Sequence, residues 1–211
     1  MVLAVTAEPP SRPALRARYE RRRREVADAA ARVFAERGFH ATSVQDLVAA
    51  TGLAAGGLYH YIGSKDRLLV QICDELMDPL LEEAAALVAR DDLGPEERLR
   101  ALVRAWVAHV ERHLAHMRVF QQERHVIERE PQWRAIRAKR KAFERLLDDA
   151  LRDVEDAGVA TLGDRRLALL ALLGMVNYTP QWFRPRGRLS VTEIADGFCD
   201  VLLGRQAVAR A

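Results

Sequence analysis

Seven arginines lie between Ser11 and Arg24 (Arg12, Arg16, Arg18, Arg21, Arg22, Arg23 and Arg24), with Glu20 as the one acid among them. Guanidinium groups bind phosphate bidentately, so such a run can grip a polyanion; a solvated tail is the other reading of any charge run. The formal net charge of the chain is only +3, so the rest of the chain is slightly acidic and the positive charge is concentrated at one end. His109, His113 and His116 recur at i, i+4 and i+7, a spacing that could hold a divalent metal on an unbroken helix. No acid completes that face at close spacing, since Glu111 points elsewhere, and the helix is expected to end near Leu114; no metal site is expected. Cys73 and Cys199 sit in apolar helical patterns without CxxC spacing, and read as buried small hydrophobes of a reducing compartment.

The elements that position these groups are helical almost throughout, and the fold class expected is all-α with about nine helices. Val26, Ala30, Val33 and Phe34 form one stripe of a first long helix, roughly Ala14 to Arg37, which Gly38 ends. Thr42 or Ser43 caps a short helix with Val44, Leu47 and Val48 inward, Thr51-Gly52-Leu53 is a tight turn, and a third helix runs from about Ala54 to Tyr61. Ser64 starts a long fourth helix. Asp91 to Pro95 is a break with Pro95 at the first position of the next helix. Further helices are expected near Glu96 to His113, His116 to Arg129, Pro131 to Ala157, Asp164 to Trp182 and Ser190 to Leu203. The organisation expected is a flexible basic arm over residues 1–15, a compact helix-turn-helix domain over 16–64, and a larger helical domain over 65–211.

Two short helices joined by a glycine turn make a helix-turn-helix, whose second helix enters the DNA major groove. The stretch GFHATSVQDLVAATGLAAGGLYHYIGSKDRLL, from Gly38 to Leu69, resembles the DNA-binding domain of the tetracycline-repressor (TetR) family. The likeness rests on Gly38-Phe39, Ala41 to Val44, Gly52-Leu53, Leu58-Tyr59 and Ser64 to Asp66 followed by Leu68-Leu69. It implies phosphate contacts from Thr42, Ser43, Tyr59 and Lys65. At the positions where the family places polar base readers the chain carries Ala54, Ala55, Gly56 and Gly57, which offer methyls and backbone approach but no side-chain hydrogen bonds. Base discrimination then falls to Gln45, Tyr59, His60, thymine methyls, the arm or DNA shape. A helix start at Ala54 without Ser, Thr, Asp or Asn is weaker by ~1 kcal/mol.

In the remaining two thirds, Gly174 to Tyr178 followed by Trp182-Phe183-Arg184-Pro185-Arg186-Gly187, and Val119 to Glu123, resemble the branch that senses acyl-CoA thioesters. The resemblance implies an acyl-CoA effector and no resident cofactor. The aromatic-proline-glycine element also reads as a plain helix exit. An acyl-CoA site needs an apolar tunnel and cations for phosphates. The apolar candidates are Trp106, Val110, Phe120, Met175 and Tyr178; the polar ones are His109, His113, Gln121, Arg124, Asn177 and Arg184. Apolar positions Leu169, Leu170, Leu172, Leu173 and Val176, then Val191, Ile194, Phe198, Val201 and Leu202, exceed what one bundle edge needs. They read as a homodimer interface, an internal core, or both.

The function expected is a ligand-responsive DNA-binding repressor on a palindromic double-stranded operator, controlling fatty-acid, aromatic-acid or steroid catabolism. A multidrug-sensing repressor is the alternative. No phosphate loop, nucleophile elbow or metal motif points to an enzyme. No apolar run approaches the ~18 residues of a membrane span, and the start carries no secretory leader, so the expected place is the cytoplasm without membrane contact.

Overall fold

The computed structural model describes residues 10–125 and 133–205, and every regular element among them is an α-helix. Nine helices lie within the described residues: α1 Pro13–Arg37, α2 Val44–Thr51, α3 Ala55–Ile62, α4 Lys65–Val88, α5 Pro95–Arg112, α6 Leu114–Gln122, α7 Arg134–Asp156, α8 Arg165–Trp182 and α9 Val191–Leu202. The proline at the first position of α1 and of α5 is the reason each begins where it does: a missing N–H costs nothing there and the fixed φ suits the helix. Residues 13–15, expected in the flexible arm, form the first turn of α1, and the arginine run is helical from Arg16 onward. Arm residues 1–9 and the expected helix start at Pro131 lie outside the described residues, and the helix expected from His116 to Arg129 is corrected: α6 begins at Leu114 and already ends at Gln122, with a turn at residue 123.

The chain divides into two compact units. The first takes Met1–Leu76 with Ala115–Ile136, so it holds α1 to α3, the first half of α4 and nearly all of α6. The expected boundary at residue 64 marks the end of the helix-turn-helix, while the compact unit runs on to Leu76. Its core is set by the i, i+4 spacing of Val26, Ala30 and Phe34 with Ala27 and Ala31 on α1, against Leu47, Leu58, Ile62, Leu68, Leu69 and Ile72. Small alanines on the buried face of α1 let α2 and α3 approach closely. Phe34 meets the Phe39 ring edge-on at 5.2 Å beneath the loop that leads into α2.

The second unit takes Met77–Leu114 and Arg137–Ala211. Here α5 packs on α8 and α9, and α8 on α9. Leu99, Leu102, Val103, Trp106 and Val110 of α5 are buried, as are Leu169, Leu172 and Val176 of α8 and Ile194, Ala195 and Cys199 of α9. Arg100 fixes α5 to α9: its guanidinium donates to Glu96 Oε1 at 2.9 Å and Asp200 Oδ1 at 2.7 Å. Inside α4, Pro79 removes one i→i−4 hydrogen bond, that to the carbonyl of Glu75, just past the point where the helix leaves the first unit.

Candidate nucleic-acid interface and effector region

The turn of the motif is made by Gly52, whose φ of 66° lies in the left-handed region and whose N–H closes α2 on Val48 O. Ser43 starts α2 with a reciprocal capping box: its hydroxyl accepts from the Asp46 N–H at 3.2 Å, and Asp46 Oδ2 accepts from the Ser43 N–H at 2.8 Å. The hydrogen bonds that the Ser43 hydroxyl, at 2.7 Å, and the Ser43 N–H donate to Asp46 Oδ2, with the nearby Arg37 guanidinium, hold the Asp46 carboxyl below its ordinary pKa. The Ser-x-x-acid spacing announces this box in the sequence, and recurs at Ser190 and Glu193 on α9. Ala54 starts α3 with no side-chain hydrogen bond, as its residue type dictates.

Gln45, Ala54, Ala55, Gly56, Gly57, Tyr59 and His60 are all exposed, on one helix-turn-helix. Of two other expected contacts, Thr42 is corrected and Lys65 is held in part by the fold. Thr42 is 2% exposed, and its hydroxyl donates to Gly38 O at 2.7 Å, so it closes the loop and is not presented to a phosphate. Lys65 donates to Phe39 O at 2.8 Å and Thr42 O at 3.0 Å, with its ammonium 4.5 Å from the centre of the Phe39 ring. Two of its three ammonium protons are held by carbonyls that the loop turns inward, and this locks the entry to α2.

Sequence reasoning missed a polar network in the same unit. Arg23 Nε donates to Gln71 Oε1 at 3.0 Å, and Gln71 Nε2 donates to Glu75 Oε1 at 2.7 Å. Burial pushes the Glu75 carboxyl up to about 7; Asp28 adds to the rise, while the Gln71 hydrogen bond and the Arg23 and Arg24 charges oppose it. Its signal was a glutamate on the Leu68, Ile72, Leu76 side of α4, where an acid is costly.

The expected effector residues fall in both units. Trp106, His109, Val110, His113, Met175, Asn177, Tyr178 and Arg184 belong to the second, and Phe120, Gln121 and Arg124 to the first. Within the second unit Trp106 is buried edge-on against Phe143 of α7, with ring centres 4.9 Å apart, and His109 and His113 bring theirs to 4.5 Å. Two candidates of the second unit are exposed. Tyr178 is 65% exposed on the outer face of α8, and Arg184 is exposed with its guanidinium on Phe183 O at 3.0 Å. The Trp182 to Gly187 element is built as a helix exit. Phe183 is buried as the cap of α8, Gly187 N–H donates to Arg184 O at 2.8 Å, and a Cβ at Gly187 would lie 2.9 Å from that oxygen. Leu167, Leu170, Tyr178 and Trp182 of α8, and Val201 of α9, leave an exposed apolar face outside this unit's core.

A helix-turn-helix unit joined to an all-helical unit with such a face defines a DNA-binding regulator. The chain belongs to the tetR family of bacterial regulatory proteins: residues 26–72 match that family's DNA-binding model and residues 92–205 a tetracyclin repressor-like C-terminal domain. It is 27% identical over 184 residues to the HTH-type transcriptional repressor KstR2 of Mycobacterium tuberculosis, covering 87% of this chain and 92% of that one. The structure of that ketosteroid regulator is similar with a TM-score of 0.80. AibR, solved in complex with isovaleryl coenzyme A and operator DNA, is 31% identical with a TM-score of 0.75, over 88% of this chain and 100% of that one. PfmR from Thermus thermophilus is 32% identical with a TM-score of 0.76, over 88% and 99%. Regulators of this family bind operator DNA and small-molecule effectors as dimers. Among the described residues, no helix is long and apolar enough to cross a membrane.

Proposed function

We propose that this chain is a cytoplasmic, non-enzymatic repressor that holds a palindromic operator as a homodimer and is released by a coenzyme A thioester. The genes it governs, on this reading, break down fatty acids, aromatic acids or steroids. The observation that carries it is the likeness along nearly the whole chain to AibR, whose structure contains both an acyl-CoA and operator DNA. The likeness to KstR2, a ketosteroid transcriptional regulator, supports steroid breakdown among the governed processes. Physically, two half-sites about one helical turn (~34–36 Å) apart demand a fixed spacing of the two α3 helices. A ligand that binds a misaligned state better by ~1–3 kcal/mol suffices to release the DNA.

The test is operator binding to the region upstream of the protein's own gene, titrated with short, long, aromatic and steroid CoA thioesters and their free acids. Thioesters are expected to lower the affinity and free acids to leave it unchanged. Trp106→Ala and Phe120→Ala are expected to weaken that response with operator binding nearly intact. Operator binding with no thioester bound below ~100 μM, only about −5.5 kcal/mol, would overturn the effector class and favour a multidrug sensor.

A further inference from the structure

The arginine run of α1 is sorted by the fold into two kinds. Arg22 donates to Glu25 Oε2 at 2.8 Å and to Thr51 O at 3.2 Å; Arg23 is held by Gln71 and by Glu20, 3.6 Å away. Those two guanidiniums are spent inside the unit. Arg18 and Arg21 are exposed, one turn apart on α1, and have no described partner. Both line a cleft of about 640 Å³ together with Pro10, Leu15, Tyr19 and Arg22 on one side and His60 and Tyr61 of α3 on the other. Glu25, the one acid in the cleft, is neutralised by Arg22.

The α3 wall is made of rings in mutual contact. The His60 ring stands edge-on to Tyr19 at 5.6 Å and 84°, and edge-on to Tyr61 at 5.1 Å and 88°, while Tyr19 stacks on Tyr61 at 5.2 Å. A side chain fixed in this way gives up little rotamer freedom when something docks against it. His60 also lies one turn beyond Gly56 on the same row of α3. The bare stretch that ends in Gly57 therefore leads along that row to the cleft. Two forked cations lining one cleft with the apolar Leu15 and Pro10 match a phosphodiester with its sugar, and α3 alone supplies few polar groups to hold DNA.

We propose that Arg18 and Arg21, with His60 as the facing wall, form a seat for one backbone phosphate of the operator, beside the bases that α3 faces. The proposal rests on the operator-binding reading above. In it the helix α1, and not an extended arm, sets how deeply α3 lies in the groove.

The test uses the full chain and the operator fragment recovered from genomic DNA by selection. Affinity is measured across salt for the wild type, Arg18→Ala/Arg21→Ala, Arg18→Lys/Arg21→Lys and His60→Ala, with Arg145→Ala, an exposed arginine of α7, as control. Phosphate-ethylation interference is mapped for each. The double alanine variant is expected to bind at least tenfold more weakly, to lose about one unit of salt slope, and to lose one interference position per half-site. The lysine pair is expected to keep the slope and recover part of the affinity. Both arginines are exposed, so an unchanged melting midpoint separates contact from misfolding. If the wild type selects no DNA, the operator reading itself fails. If it selects DNA and the double variant keeps slope and interference pattern, the phosphate seat is wrong. A shift of the His60 ring resonances by inorganic phosphate, with DNA binding unaltered in the double variant, would instead assign the cleft to a free anion.

Discussion

His116 Nε2 on α6 lies 3.5 Å from Asp28 Oδ1 on α1, with the histidine ring almost wholly buried. Gln122 Nε2 donates to Ala35 O at 3.2 Å between the same two helices, and just past their ends His40 Nε2 stands 3.7 Å from Glu123 Oε2. A helix that follows α5 after the single residue His113 is thus tied by polar groups to the longest helix of the DNA-binding unit.

Asp28→Asn keeps the shape of this contact and removes its charge. The expected outcome is unchanged operator affinity without effector and a response to the releasing ligand weakened severalfold, because α6 then holds α1 less firmly. Operator titrations with and without that ligand measure the coupling directly. An unaltered ratio of the two affinities would sink this role for the pair.

Gly56 and Gly57 lie within α3, where glycine costs ~1 kcal/mol relative to alanine. Nothing in the protein requires them, since a Cβ at either position meets no atom within 4 Å. Gly56→Ala and Gly57→Ala are each expected to raise stability by about 0.5–1 kcal/mol while lowering operator affinity, the sign of a surface kept bare for close approach to DNA. Thermal melts and operator titrations of the same variants check both halves. Unimpaired DNA binding would show that the bare surface serves something else.

The pKa of Glu75 fixes the sign of a pH effect. Burial raises it from 4.5 to about 7 in the folded protein, so the fold favours the neutral carboxyl. Below pH ~4.5 the group is protonated whether folded or not and imposes no penalty. As pH rises from there through about 7, the unfolded chain ionises more readily and folded stability falls. Glu75→Gln, which can still accept from Gln71, is expected to match the wild type near pH 4.5. It should exceed it by on the order of 1–2 kcal/mol above pH 7.5, solvent screening of the partly exposed group allowed for. Denaturant melts at the two pH values decide it, and an equal gain at both would mean a packing effect.

Most elements and their ends were legible because local chemistry sets them; the end of α6 at Gln122, where no proline or glycine stands, was not. Pro13, Gly38, Gly52, Pro95 and Ser190 each act on the backbone within one turn of where they stand. The two faces of α8 were harder, since Leu169 and Leu170 are alike in type and differ only in what packs over them. The site was legible in outline for a related reason. Exposure of Ala54 to Gly57 follows from their place on a short helix. The inward turn of Thr42 and Lys65 depends on which carbonyls the loop at Phe39 leaves open, and residue type does not encode that. Arg22 and Arg18 are indistinguishable in a run of arginines until Thr51, on a different helix, is brought beneath one of them.

The outer face of α8 and α9 carries the last prediction. Leu167 is 64% exposed, Leu170 47%, Tyr178 65% and Val201 74%. A row of large apolar groups at helical spacing that the core does not use is the mark of an association surface, and a two-fold operator is read by a two-fold protein. Leu169, Leu172 and Val176 fill the core from the opposite side of α8. Charges placed on the outer row therefore leave the fold intact. Leu170→Glu with Val201→Lys is expected to give a monomer with the wild-type helix content and at least tenfold weaker operator binding, because a single half-site contact no longer benefits from the second. Light scattering reads the mass and circular dichroism the fold. A dimer that persists in the double variant would move the interface away from α8 and α9.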